Sequence, residues 1–332
     1  MSLNKVDLVS TSAPDLLKEI QKLNKLKHYQ DALSLSETAT KQYPKSAALY
    51  KQNALINLKL KRVKEAHTSF MRFFKLNQDK DLIAADIYEK FFENSLKLVK
   101  KPSGKVFKEA SEILSLLESI DVNGFEVALY KAAFLVVGRD YDLAVSSYDD
   151  CLQKGVAFRK TDGELYIKAL FNSFRYKELD SFIRSDYALP LGELRLAKEK
   201  KRVALLLNLA DAQTLASTEY YRISIFRQQS PKGVFITFGT AADDLDSEPF
   251  GMDFLLSYGY DLIFVAQENT NRYQDLSFET FEEIVAPVVK CGRYEKVYTY
   301  GVSLGGYSAL YYSGCINAIA FAASPLNPWD VS

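Results

Sequence analysis

An alanine returns at the interval of one supersecondary unit along the first half of the chain. The segments HYQDALSLSETATKQYP, VKEAHTSFMRFFKLN, FKEASEILSLLES and YDLAVSSYDDCLQKG carry Ala32, Ala66, Ala110 and Ala144, spaced 34, 44 and 34 residues apart. Each is followed four residues later by another inward position, the spacing of one helix face. A plain helical bundle shares that period but has no reason to restore a small residue every 34 positions. Such a return means stacked helix pairs, none of which buries its apolar face alone.

Tyr29, Ala32, Ala39 and Pro44 in the first unit, and Tyr50, Ala54, Ala66 and Phe70 in the second, resemble the tetratricopeptide repeat (TPR) pattern. The third unit departs from it, with ten extra residues around KKPSGK, and a fifth pair around ELYIKALFNSFRYKELDSFI is degenerate. LGELRLAKEKKRVALLLNLADAQTL reads as a long last helix whose apolar face closes the stack. The resemblance implies an all-α superhelical domain over residues 1–215 that presents a concave surface to a protein or peptide partner. Fold alone does not name that partner.

At 332 residues the chain is long enough for two domains, and 48% hydrophobic with 25% charged residues is the composition of a soluble globular protein. MSLNKVDLVSTSAPDLL holds no apolar run of signal-peptide length, and no window approaches the ~20 apolar residues of a bilayer span, so the reading is cytoplasmic. Cys151, Cys291 and Cys315 form no close pair and suit reduced thiols better than a disulfide framework or a zinc site. No cofactor motif is present. The balanced total of 42 basic and 42 acidic residues hides an asymmetry: residues 216–332 carry a net −7 and residues 1–215 a net +7. The two parts can attract each other or face different partners. Because the basic residues are dispersed and mixed with acids, they read as solvated helix faces, and nucleic acid is excluded as a partner.

After residue 216 the pattern changes to short strands alternating with helices, and nine of the fifteen glycines fall there. YYRISIFRQQ and GVFITFG read as a strand pair across QSPKG. A helix in FGMDFLLSYGY, a strand in DLIFVAQ, a helix in SFETFEEIVAPVVKCG, a strand in KVYTYG, a helix from GGYSALYYSG and a strand in INAIAFAAS follow. This order predicts a three-layer α/β domain over residues 216–332. Gly301, Ser303 and Gly305 fill G-x-S-x-G at a strand-to-helix turn, where glycines let the chain turn tightly enough to lift a serine hydroxyl above the sheet.

Residues 218–324 thereby resemble the α/β-hydrolase family. The resemblance implies Ser303 as nucleophile, the Leu304 N–H as one half of an oxyanion hole, and Gly239 or Thr240, in a turn with free backbone donors, as the other half. Asn271, Tyr273 and Gln274, in the loop ENTNRYQDL, would overhang the same sheet end and meet substrate. GYDLIFV, the RYQ loop and YGVSLGGYSALYYS are also similar to hydrolase-like proteins encoded with bacterial surface-polysaccharide genes, some of which transfer or remove acyl groups.

The family needs an acid and a histidine after later strands, whereas this sequence stops at NPWDVS after the sixth strand and so lacks the last strands. Asp330 stands where a few members place the acid. The only histidines, His28 and His67, read as residues on the surface of repeat helices, and the cluster DDLDSE, Asp243 to Glu248, reads as a solvated loop rather than a metal site. A serine without a base is a poor nucleophile. The expectation is a serine acyl hydrolase or acyltransferase by ancestry that is inactive in this form; the alternative is a non-catalytic TPR adaptor. The strand Ile316–Ala323, with no charge between Tyr300 and Pro328, would form an open edge and invite self-association.

Overall fold

Four of the helix-to-helix turns put one residue in the left-handed region at the same place. These are Lys27 (φ 61°), Lys61 (φ 58°), Arg139 (φ 65°) and Phe174 (φ 59°). Each is followed by an N–H that reaches back five residues: His28 to Leu23 O, Arg62 to Asn57 O, Asp140 to Leu135 O and Arg175 to Leu170 O. The turn residues' own N–H groups bond Asn24, Leu58, Val136 and Phe171 carbonyls, completing a Schellman closure that satisfies orphan helix carbonyls. The first two of these turns lie 34 residues apart (27 to 61) and the last two 35 (139 to 174), so the spacing of the sequence reappears there in backbone geometry.

The computed structural model describes residues 11–77, 83–99, 104–117, 127–268 and 271–326. The chain divides into two compact units, Met1–Val156 and Ala157–Ser332. In the first unit the helices are α1 (Ala13–Lys25), α2 (Tyr29–Gln42), α3 (Ala47–Lys59), α4 (Val63–Leu76), α5 (Ala85–Leu98), α6 (Lys105–Leu117), α7 (Val127–Gly138) and α8 (Tyr141–Gln153). Consecutive helices pack as neighbours, forming a TPR-like helical-repeat unit.

Ala32, Ala66, Ala110 and Ala144 are fully buried, as the repeat register requires. Phe70, Phe74, Tyr88, Phe91 and Phe92 fill the space between the second and third pairs. Phe74 and Tyr88 stack at 5.2 Å. A polar link fixes three helices in register: Asn53 donates to the Ser36 hydroxyl (2.8 Å) and accepts from the Ser69 hydroxyl (2.7 Å), joining α3 to α2 and α4.

The second unit begins before the sheet, with α9 (Lys160–Asn172), α10 (Tyr176–Ile183), a 3-10 turn and α11 (Glu193–Leu206). The compositional break at 215 thus falls inside this unit. These helices belong with the sheet because Phe171 stacks on Phe226 and Arg222 donates to Asn172 at 2.5 Å. The expected long last helix is shorter than its sequence suggested. It ends at Leu206, and Leu209–Ser217 forms β1, a mostly exposed edge strand whose weak alternation conceals it.

The remaining elements are β2 (Tyr221–Gln228), β3 (Val234–Phe238), α12 (Met252–Ser257), β4 (Asp261–Gln267), α13 (Phe278–Gly292), β5 (Val297–Val302), α14 (Leu304–Ser313) and β6 (Ile319–Ala323). The strand order is β1-β2-β4-β3-β5-β6, antiparallel across β1, β2 and β4 and parallel from β4 to β6. The expected β2–β3 hairpin does not form, since β4 lies between them. The linker has only to cross two strand spacings, about 9.5 Å, which five residues span easily.

Helices α13 and α14 bury Val234, Ile236, Phe238, Ile263 and Val265 on one face of the mixed sheet. On the other face Phe250, just before α12, packs on Tyr300 at 5.0 Å. Among the described residues no helix is long and apolar enough to cross a membrane.

Replacing Ala66 with Leu adds volume at a helix contact with no exposed surface. The expected loss is ~1–3 kcal/mol, read as a fall in the denaturant midpoint of the full chain without a change in slope.

Candidate functional site

Three glycines shape the turn between β5 and α14. A Cβ on Gly301 would stand 2.2 Å from the Gly305 carbonyl oxygen, one on Gly305 would stand 2.6 Å from Phe238 O, and one on Gly306 would stand 3.0 Å from Ala323 O. Any side chain at the first two positions collides with backbone. The turn therefore sits tight against the carboxyl ends of β3 and β6, and Ser303 is lifted at its apex with φ 56° and ψ −123°. That conformation is strained for a non-glycine residue, and the surrounding backbone holds it: the Ser303 N–H donates to Ala323 O at 3.0 Å, and its carbonyl accepts from Tyr307 and Leu326.

The Ser303 hydroxyl does not cap α14. The adjacent Leu304 N–H opens that helix and has no carbonyl of its own helix to meet. Here the location read from the sequence and the geometry coincide.

The rest of the expected site is arranged differently. Gly239 and Thr240 do not offer free donors. The Gly239 N–H bonds Val265 O at 3.2 Å, continuing the sheet, and the Thr240 N–H bonds the Asp243 carboxylate at 2.6 Å. Tyr273 does not overhang the site. It is buried, and its hydroxyl shares its proton between the Gly239 and Val265 carbonyls, each 3.0 Å away. Burial raises its phenol well above the usual range, so it stays neutral and acts as a strut under the β3 loop.

Gln267, fully buried, completes that strut by accepting from Tyr273 N–H and donating to Thr240 O. Sequence reasoning missed Gln267. The signal available was a glutamine closing an otherwise apolar strand, DLIFVAQ. Asn271 is also buried and pairs with the Asp275 carboxylate, whereas Gln274 is exposed.

The acidic cluster is not the solvated loop expected. Asp246 pairs with Lys168 of α9 at 3.1 Å, and Glu248 pairs with Arg202 and Lys198 of α11. Arg202, almost fully buried, also meets Glu199 and Asp253 (3.2 Å). These carboxylates hold its guanidinium above its ordinary pKa against the opposing effect of burial. Among the described residues no group of three or more His, Cys, Asp or Glu is placed to hold a metal ion. Asp330 lies outside the described residues. The three cysteines are free thiols, Cys151 buried and Cys291 exposed.

Both histidines are engaged within the first unit. His28 precedes α2, exposed, 3.6 Å from Asp31. His67 is not on the helix surface as expected. It is 4% exposed, with Nδ1 at 3.1 Å from the Ser95 hydroxyl and Nε2 at 3.0 Å from the Glu109 carboxylate. Its ring stacks on Phe91 at 5.4 Å. A polar residue beside the packed Ala66 can turn inward wherever the next pair supplies partners.

No protein-family model matches the chain, and no curated protein matches it. Among solved structures it is similar to YrrB, described as a TPR protein with an unusual peptide-binding site, at 14% identity, a TM-score of 0.40, and coverage of 58% of this chain and 86% of that one. It is similar to a tetratricopeptide repeat protein from Parabacteroides merdae (13% identity, TM-score 0.41, 58% of this chain and 75% of that one). It is also similar to a thermophilic TPR protein of Thermus thermophilus (19% identity, TM-score 0.36, 59% and 99%).

Burial lowers the His67 pKa below its ordinary 6.5, outweighing the opposing pull of Glu109, while Lys105 adds to the lowering. The folded state thus prefers the neutral ring. The stability this contributes is full above pH 6.5 and is lost as pH falls below it. Facing the ring are Glu109 and Lys105 of α6 and Ser95 and Phe91 of α5. Urea titrations between about pH 7 and pH 5 should show a decline that His67→Gln flattens.

Proposed function

We propose that this chain is a protein-interaction scaffold in which the helical-repeat unit engages a protein or peptide and the α/β unit has no catalytic part. The observation that carries this reading is the same backbone closure within the α1–α2, α3–α4 and α7–α8 pairs of the first unit, the recurrence expected of a stacked repeat. Supporting it, residues 216–332 contain no histidine, and the two histidines elsewhere are engaged with Asp31 and with Ser95 and Glu109. Both loop N–H groups that could supply the second half of an oxyanion hole, those of Gly239 and Thr240, are bonded within the fold.

A photo-crosslinking scan in the native host tests it. Crosslinks to one defined partner should form from exposed positions on the first helix of each pair, such as Lys59 and Lys97, and not from Lys64 or Glu112 on the second. Equal capture from both sets, or none, sinks the scaffold reading.

The backbone at Ser303 favours a second reading: a serine acyl hydrolase or acyltransferase, with a surface-polysaccharide ester as its substrate class. A strained serine between sterically obligatory glycines is the turn such enzymes use. Its weakness is the missing base. A fluorophosphonate probe and an activated ester decide between the two. The scaffold reading expects no labelling and no turnover from the chain; stoichiometric labelling that vanishes in Ser303→Ala establishes the enzyme.

Self-association through the last strand belongs to the same proposal. Among the described residues strand β6 pairs only with β5, and on one face of the sheet at that edge Ile319 is 60% and Phe321 48% exposed. Sedimentation should show concentration-dependent association that Ile319→Lys reduces; a monomer across the micromolar range removes the idea.

A further inference from the structure

Between α9, α11 and the 243–248 loop lies a recess of about 460 Å³. It is lined by five carboxylates, Glu199, Glu164 and Asp246 among them, against three cations, Lys168, Arg195 and Arg202, with Phe171 in its wall. Most of these charges are accounted for: Asp246 by Lys168, and Arg202 by Glu248 and Asp253.

Glu199 has charge partners in Arg195 and Arg202 but differs from the others in its hydrogen bonding. It is 1% exposed, yet neither of its carboxylate oxygens accepts a hydrogen bond. The guanidiniums of Arg195 (2.9 Å) and Arg202 (3.5 Å) are close enough to compensate its charge, but their N–H groups are not directed at its oxygens. A buried carboxylate left in this state is costly, and a donor-rich group placed between it and the mouth would relieve it. Arg195 Nε is unpaired as well, so the Arg195–Glu199 contact is a charge contact alone, made by a side chain 38% exposed.

We propose that this recess binds a small organic cation carrying an ammonium or guanidinium group, which takes the place of Arg195 as the partner of Glu199. An ammonium brings three donors and a guanidinium five, with no acceptor, matching a wall in which carboxylates outnumber cations. Anions are disfavoured by the same excess. The apolar side of Phe171 and Ile167 receives the carbon stem of the ligand. The same chemistry reaches the recess as a free amine or as the basic side chain of a peptide.

Calorimetric titration of the full chain with agmatine is the test, with tetramethylammonium as a cation that has no N–H and a blocked Gly-Arg-Gly peptide to separate the two sources. Saturable agmatine binding is expected, weakened at least about ten-fold by Glu199→Gln, whereas Arg195→Gln, which removes the competing cation from a partly exposed pair, should tighten it about five-fold. These opposite signs distinguish ligand binding from a general loss of fold. Peptide binding as tight as agmatine assigns the recess to a side chain, and agmatine binding alone assigns it to a free small molecule. Absence of saturable binding, equal binding of tetramethylammonium, or loss of affinity in both variants overturns the proposal.

Discussion

At the β5–α14 turn, Gly301 and Gly305 bring three backbone segments closer than any side chain allows. Gly305 lies against the carbonyls of Phe238 and Gly239, so the end of β3, the apex of the turn and the start of α14 form one block. Tyr273 and Gln267 then brace that block from beneath, with buried hydrogen bonds to the same Gly239 and Thr240 region. The first unit relies on the same constraint in a milder form, with alanines of no exposed surface where glycines stand here. Close approach is a demand on size, and it makes these positions intolerant in a way the surrounding apolar residues are not.

Electrostatics supplies the second level of order in the α/β unit. The acidic loop after β3 is drawn onto α9 and α11 by Lys168, Lys198 and Arg202, which anchors it beside the block just described. A buried guanidinium shared among Glu199, Glu248 and Asp253 adds little net stability but is expensive to break, so it fixes geometry more than it adds energy.

The repeat was legible because its signal is a spacing, and spacings survive when individual residues vary. Ser303 was legible because its turn needs glycine at fixed offsets. Strand β1 was not, since an edge strand that is mostly exposed carries little apolar alternation, and its apolar residues continue the helical run before it. The β2–β3 hairpin was misread because a short linker reaches the second neighbour as readily as the first. The opposite charges of the chain's two parts were visible, but the pairings that use them lie within residues 157–332, where α9 and α11 supply the cations. The inward turn of His67 depended on Ser95 and Glu109, partners 28 and 42 residues away that no local pattern announces.

The shared turn of the helix pairs holds lysine twice, then arginine, then phenylalanine, at its left-handed position. Its two closing bonds are made by backbone alone, so the turn itself sets no requirement on the side chain: Lys27 and Lys61 are exposed there, whereas Phe174 packs on Phe226 at 6.1 Å. A repeat built this way stores its architecture in torsion angles and leaves its outward letters open, so that one scaffold can display unrelated surface chemistries pair by pair without being refolded.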